Sequence, residues 1–410
     1  MSGFAKELIR RSEAIEYVSK VLGFPWPLGT FSSPLGECRG RRSGLSLPAP
    51  LDYPPFSRST RDGYALRSGD VAGASDTAPV FLRIKGEILM GESTEAFVGE
   101  GECLSVHTGG MIPGGADAVV MIEDTLQAAG GWLEVRKALQ AGENVIFQGE
   151  EIRRGQAILK PGEMLDYRNV GVLATLGLCA VDLVDIRIGI LSTGDEIVPA
   201  ETSILPAGKV RDANAWFLEF LLSCHGFPAM RLGIVPDRRE KLAEAVQQGL
   251  KECDVLLLSG GSSVSVRDYC SEILEALPSP GLLVRGVNMS PGKPLLMAGC
   301  LPDRRLVLGL PGHPLSCSIV AITVLLPLLY RLVGAETLPF KSTTARLAAD
   351  VFGRAGVEEF IPAVISEGEV LPVPGKSGYV SVLREARGLI RLPETEETRR
   401  AGERVEVLEW

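Results

Sequence analysis

Five carboxylates stand on turn-like stretches of this chain. Asp62 is in an Asp62-Gly63 turn, Glu151 follows Gly149-Glu150, Glu196 closes Ser192-Thr193-Gly194-Asp195-Glu196, Asp237 follows Pro236, and Asp268 follows a Gly/Ser run. That run, Ser259 to Ser263, comes directly after the apolar stretch Val255–Leu258 and before residues at helical spacing, Tyr269, Ile273, Leu274 and Leu277. A strand, a Gly-Gly turn and a helix start let backbone approach a ligand and aim N–H groups at an anion. Asp268 enters the first helical turn, where a carboxylate can hold a metal beside a bound phosphate. Lys293, in Ser290-Pro291-Gly292-Lys293-Pro294, is the only lysine between 252 and 340. A compact ammonium on a proline-stiffened turn suits an oxyanion. Carboxylates around a phosphate-cradling loop suit magnesium, which takes oxygen ligands and bridges phosphates. The bland readings stay open: Gly-Gly after a strand is also an ordinary tight turn, and any one of these carboxylates can be solvated surface charge.

Other chemistries lack their residues. The Gly-Gly run is not the dinucleotide Gly-x-Gly-x-x-Gly, and Gly286 to Lys293-Pro294 has neither P-loop spacing nor a Ser/Thr after the lysine. No nucleophile elbow is present. The eight cysteines are scattered with no Cys-x-x-Cys, and three histidines complete no zinc constellation. Dispersed thiols suit a reducing, cytoplasmic setting. A net charge of −9 and the lack of a long basic run argue against nucleic acid; Arg39 to Arg42 reads as a short solvated basic loop. The longest apolar stretch, Ile319 to Tyr330, is interrupted by Thr323 and Pro327 and falls short of the ~20 residues of a membrane span. No signal peptide is legible at the N-terminus.

The elements that must position these residues follow from periodicity. At 410 residues the chain should hold roughly two to four domains. Residues 4–23 predict an amphipathic helix and 24–50 an extended linker. Residues 80–140 alternate strand-like runs with glycine turns, a β-rich insertion. A helix is expected over Asp166 to Leu176. From Val181 strands and helices alternate: strands at Ile186–Leu191, Met230–Val235, Val255–Leu258 and Leu306–Leu310, with helices at 213–224, 241–250 and from Pro314 to near Leu332. This predicts a doubly wound parallel sheet, in which ligands bind beyond the carboxyl ends of the strands. The loops at Ser192–Glu196, Asp237, Ser259–Ser263 and Pro311–Pro314 would then share one site. Residues 340–410, with runs at Phe360-Ile361, Val370-Leu371, Tyr379–Leu383, Leu389–Leu392 and Val405–Leu408, predict a small barrel or sandwich. From the residues alone the chain reads as an anion- or nucleotide-binding α/β protein, a magnesium-dependent transferase.

The motifs taken together go further. Pro54-Pro55-Phe56 to Asp62-Gly63-Tyr64-Ala65, His107-Thr108-Gly109-Gly110 to Pro113-Gly114-Gly115-Ala116-Asp117, Gly149 to Ile152, Ser192 to Glu196, Ser259-Gly260-Gly261, Pro291-Gly292-Lys293-Pro294 and Gly309 to Gly312 resemble the molybdopterin molybdenumtransferases, of MoeA and gephyrin C-terminal-domain type. The resemblance spans nearly the whole chain. It implies four domains: an elongated segment (1–50 and 141–180), a β-rich insertion (51–140), an α/β molybdopterin-binding domain (181–335) and a C-terminal β-barrel (336–410). It implies a homodimer that takes adenylylated molybdopterin and molybdate or tungstate, releases AMP and uses Mg2+. Carried over by motif, Asp62, Glu151, Glu196, Asp237 and Asp268 form the acidic site, with Glu196 and Asp268 for the cation. Thr193, Gly194, Asp195, Gly260, Gly261, Ser262, Pro311 and Gly312 line the phosphate and pterin site, and Lys293 and Ser377 face the oxyanion. A molybdopterin adenylyltransferase and apo-molybdoenzymes are the implied protein partners.

The chain also departs from the family pattern. Ser290 stands where the first lysine of Lys-Pro-Gly-Lys-Pro is usual, His313 where an asparagine is, Val357 and Pro362 flank Glu359-Phe360 where an arginine is usual, and Arg387 replaces an asparagine. Two missing cations motivate an alternative, a scaffold that binds the pterin without turnover; an arginine swung into the space would argue against it.

Overall fold

The computed structural model describes residues 8–260 and 264–409, with backbone alone for 264–268. It divides into two compact units, one of Met1–Ser46, Leu159–Gly171 and Cys179–Trp410, the other of Leu47–Ile158 and Val172–Leu178.

The larger unit is built on a six-stranded sheet in the order Ala229–Val235, Ile188–Thr193, Val255–Gly260, Arg305–Leu310, Leu296–Cys300, Pro280–Arg285. The first four strands run parallel. The last two add antiparallel, so the sheet is doubly wound on a parallel core but mixed at one edge. Those two strands escape sequence reading because Pro280, Gly281 and Gly299 punctuate them like loops. Side chains alternate faces along each strand. Val255 and Leu257 join the core under the helices Arg11–Val21, Asn214–Cys224 and Pro314–Leu332. Leu256 and Leu258 join the core under Arg239–Glu252 and Val264–Glu275.

The N-terminal helix is shorter than periodicity predicts, Arg11–Val21, because Arg10 is already extended; Phe4 lies outside the described residues. The predicted linker 24–50 contains a strand, Gly29–Pro34, paired antiparallel with Ala180–Asp185. The helix Pro314–Leu332 is long and apolar enough to cross a membrane, but 94% of its most apolar window is buried inside the fold, which makes it a core helix. It carries a π-helical turn at Ala321–Leu325. Pro327 has no N–H for the carbonyl of Thr323, and Arg11 Nη1 donates to that carbonyl at 3.1 Å instead. The same guanidinium grips the buried Glu358 carboxylate at 2.8 and 2.9 Å, and Arg391 Nε joins it at 2.6 Å. One buried anion with two cations thus ties the N-terminal helix to the C-terminal strands.

Those strands close a five-stranded barrel. Glu358–Ser366 pairs with both Glu369–Pro372 and Gly388–Leu392, and Lys341–Leu347 and Arg404–Glu409 complete the ring. Ala363, Val370, Ile390, Leu392, Val405 and Val407 fill it. Tyr379–Leu383, predicted as a strand, is a turn leading into the helix Ser381–Glu385. Tyr379 and Val380 are both exposed and Val382 alone is buried, so the segment has no period of two.

Arg42 corrects the reading of a solvated basic loop. It is 2% exposed, with Nε donating to the His225 carbonyl at 2.7 Å and the guanidinium stacked 4.0 Å from the Tyr330 ring centroid. Beside it, His225 Nδ1 lies 3.0 Å from Tyr330 Oη. Burial, with the Arg42 charge adding, pushes the His225 imidazole down to about 4. An unfolded histidine titrates near ~6.5. Between these values the unfolded chain binds the extra proton, so stability rises with pH across this window. We expect His225→Gln to flatten that slope, which spans on the order of 3 kcal/mol, in urea unfolding measured at pH 4 to 7. An unchanged slope would assign the pH dependence to other groups.

In the smaller unit a second six-stranded sheet has Gly63–Leu66 between Glu102–Val106 and Ala118–Met121. Tyr64, Leu66, Leu82, Cys103, Val120 and Leu133 form one core on it.

Candidate functional site

Four parallel strands finish at the same end of the larger unit's sheet. Thr193 is in register with Val235 and Gly260, and Ser259 with Leu310. Parallel register therefore brings together loops that lie far apart in sequence. Thr193 Oγ donates to Asp237 Oδ1 at 2.8 Å, and the Asp237 N–H donates to Asp195 Oδ1 at 3.2 Å. Lys209 Nζ donates to the Asp195 carbonyl. The Glu196 carboxylate folds back over Gly194, where Oε2 lies 2.9 Å from the position a Cβ would take.

Two buried residues behind these loops set their shape. Ser192 Oγ donates to Asp212 Oδ2 at 2.6 Å, while Asp212 Oδ1 accepts the Ala215 N–H at 3.1 Å at the start of the Asn214–Cys224 helix. Asn214 Nδ2 then donates to the Gly312 carbonyl at 2.9 Å. Neither the strap from Asp212 to Ser192 nor the reach of Asn214 to Gly312 was legible in the sequence, because both join residues distant along the chain.

A cavity of about 240 Å³ opens between Gly260, Pro294, Pro311, Gly312 and His313. His313 Nδ1 lies 3.0 Å from Ser377 Oγ, and the Ser377 carbonyl accepts the Leu315 N–H at 3.0 Å. The structure thus gathers Thr193, Gly194, Asp195, Glu196, Asp237, Gly260, Pro311, Gly312 and Ser377 at one sheet end, with Lys293 next to the cavity wall at Pro294. Gly261, Ser262 and the Asp268 side chain lie outside the described residues. Cys270, also on the cavity, is pushed up to about 11 by burial and then by Asp237, and Cys317 is pushed up to about 12 by burial, so both stay protonated thiols.

Asp62 and Glu151 belong to the smaller unit. Asp62 Oδ1 accepts the Thr108 N–H at 2.8 Å, with His107 Nδ1 at 3.7 Å; the backbone N–H first and the imidazole after it hold this exposed carboxyl below its ordinary range. His107 Nε2 in turn lies 2.8 Å from Glu87 Oε1. Glu151 Oε1 pairs with Arg58 Nη2 at 3.3 Å, on a turn fixed by the Tyr53 carbonyl.

Among the described residues no group of three His, Cys, Asp or Glu encloses a metal. Magnesium held by one or two carboxylates and a substrate phosphate needs no such group, and the exposed Glu196 at a strand end suits that mode. Arg387 does not fill the cationic gap left by Ser290 and Val357: its Nη1 donates to the carbonyls of Arg384 and Ala386. Ser290 instead pairs in a strand with Glu359, which is bonded to Arg354 Nε at 2.9 Å.

The comparisons fall on this architecture. Residues 9–177 match the MoeA N-terminal region (domain I and II), 189–331 the 'probable molybdopterin binding domain' family, and 344–410 the MoeA C-terminal region (domain IV). A Methanocaldococcus jannaschii protein named 'putative molybdopterin biosynthesis protein' is 34% identical over 381 residues, covering 90% of each chain. The chain belongs to the MoeA family. The molybdopterin molybdenumtransferase of Synechococcus elongatus is 34% identical over 306 residues, 74% of this chain and 75% of its own. A Pyrococcus horikoshii MoeA crystal structure superposes with TM-score 0.79 at 31% identity, covering 98% of this chain and 99% of its own. These relatives place this MoeA chain in molybdenum cofactor biosynthesis, and nothing in them favours the scaffold alternative.

Proposed function

We propose that this MoeA chain is a molybdopterin molybdenumtransferase that takes adenylylated molybdopterin, releases its adenylyl group as AMP and inserts molybdate or tungstate. The observation that carries this reading is the shared register of four parallel strand ends, two of which, at Gly260 and Leu310, line a cavity with Gly309 and Gly312 beside Lys293 and Ser377. The backbone around Thr193, Gly194, Gly260 and Gly312, with Gly261, Ser262 and Pro311, binds phosphate and pterin, because close approach requires residues with no bulk at the contact. Asp195 positions Asp237 by accepting its N–H. Asp237, Asp62 and Glu151 complete the acidic site, with the last two reaching it in a homodimer. Lys293 and Ser377 hold the oxyanion. Glu196 and Asp268 would hold Mg2+, and the chemistry that ion would supply is neutralisation of phosphate charge. The domain division is 1–50 with 141–180, 51–140, 181–335 and 336–410, and the setting is cytoplasmic.

The test follows the product. After incubation with adenylylated molybdopterin, Mg2+ and molybdate, gel-filtered protein should carry molybdenum and metallated pterin in equal amounts by mass spectrometry. Pterin retained without metal would overturn the transferase reading.

A further inference from the structure

The departures from the family pattern leave Lys293 without the usual neighbouring lysine, yet a second cation stands close by on another element. Arg285 ends the strand Pro280–Arg285 and is in register with Leu296 on the strand that follows. The ten-residue connection between them is cross-linked: the Gly286 N–H donates to the Leu295 carbonyl at 2.7 Å and the Val287 N–H to the Lys293 carbonyl at 3.1 Å. This folds Arg285 and Lys293 toward one another across a hairpin. Both line a cavity of about 290 Å³ together with Gly286 and the buried Ser271. Pro294 and Leu296 border this cavity and the glycine-lined one alike, so the two share a wall.

The charges here are incompletely matched. The Lys293 ammonium has no hydrogen-bond or ion-pair partner among the described residues. Arg285 donates Nη2 to Glu275 Oε1 in an exposed pair; its other N–H groups have no partner among the described residues. A guanidinium with unpartnered N–H groups and a free ammonium lining one cavity match a tetrahedral oxygen dianion: two parallel N–H···O bonds from the planar fork and a point charge from the ammonium. We infer that the Arg285–Lys293 cavity is the entry or holding site for a tetrahedral dianion, with Arg285 as the second cation. The inference rests on the proposed transferase reading for its link to molybdate or tungstate. The same chemistry would accept a phosphate group of the pterin substrate, and the experiment separates these sources.

The full chain is dialysed to equilibrium against molybdate, tungstate, inorganic phosphate or AMP, and bound anion is counted by elemental mass spectrometry or radiolabel. Wild type should bind molybdate or tungstate, and Arg285→Gln should weaken that binding roughly ten- to hundredfold, the size expected for one charge-assisted partner. Arg285→Lys should recover part of it. Glu275→Gln should not weaken it, since the change removes only an exposed competing carboxylate from the guanidinium. If phosphate and AMP lose binding in Arg285→Gln while the metal oxyanions do not, the dianion is the substrate's phosphate. Equal oxyanion and phosphate binding by wild type and Arg285→Gln, no dianion binding by wild type, or an equal loss in Glu275→Gln would each overturn the site. AMP release keeps the two readings apart. An unchanged oxyanion KM in Arg285→Gln removes the site and leaves the transferase, whereas Arg285-dependent binding without AMP release keeps the site and removes the transferase.

Discussion

Gly260→Ala is expected to lose the sheet end that carries the site, by more than ~4 kcal/mol of folding stability. Gly260 sits at φ +122°, where residues with a Cβ are strained, and a Cβ there would lie 1.9 Å from the Thr193 carbonyl oxygen in the adjoining strand. The neighbour is backbone inside a six-stranded sheet and has no room to retreat, so the overlap adds to a conformational cost of about 1–3 kcal/mol. Gly208 provides the control. It also has positive φ, +77°, but nothing lies within 4 Å of the place its methyl group would take, so Gly208→Ala should cost only about 1 kcal/mol. Urea denaturation of both variants measures the difference. A Gly260→Ala protein as stable as Gly208→Ala would mean that the Thr193–Gly260 contact is looser than described.

Glu196→Gln is expected to reduce oxyanion-dependent AMP release by roughly a hundredfold, the order of effect for losing a group that holds a catalytic metal. The substitution keeps the shape over Gly194 and removes only the charge, so the fold and pterin binding should survive. Raising Mg2+ should restore part of the rate, because a weakened cation site is filled by mass action. Asp195→Asn provides the contrast. Asp195 acts through a hydrogen bond from the Asp237 backbone rather than through charge, and an amide oxygen can accept the same bond. Its rate should fall much less and show no magnesium rescue. Equal losses in both variants, insensitive to Mg2+, would remove Glu196 from the cation site.

How much of this was legible in the sequence depends on where each partner lies. The strand ends were legible because the apolar run Val255–Leu258 is followed at once by Gly/Ser residues, and the rule placing ligands beyond parallel strand ends needs no contact map. The convergence of Thr193, Asp237, Gly260 and Gly312 then follows from topology. What escaped depends on distant partners. Arg42 looks like a surface charge until the His225 carbonyl and the Tyr330 ring, far along the chain, are seen to enclose it. Tyr379–Leu383 has the composition of a strand, but with only Val382 packed inward it turns into a helix beside the barrel. Arg285 carried no signal at all: a lone arginine near a proline-glycine turn becomes notable only once the hairpin folds it toward Lys293.

On the proposed reading these strand ends perform oxyanion-dependent cleavage of the adenylyl group. The most direct measurement incubates purified full-length protein with adenylylated molybdopterin, Mg2+ and either molybdate or tungstate, and follows AMP. AMP release should require both Mg2+ and an oxyanion and be lost in Asp268→Ala, with the preferred oxyanion naming the metal. Tight binding of the adenylylated pterin with no AMP released under either oxyanion would contradict it.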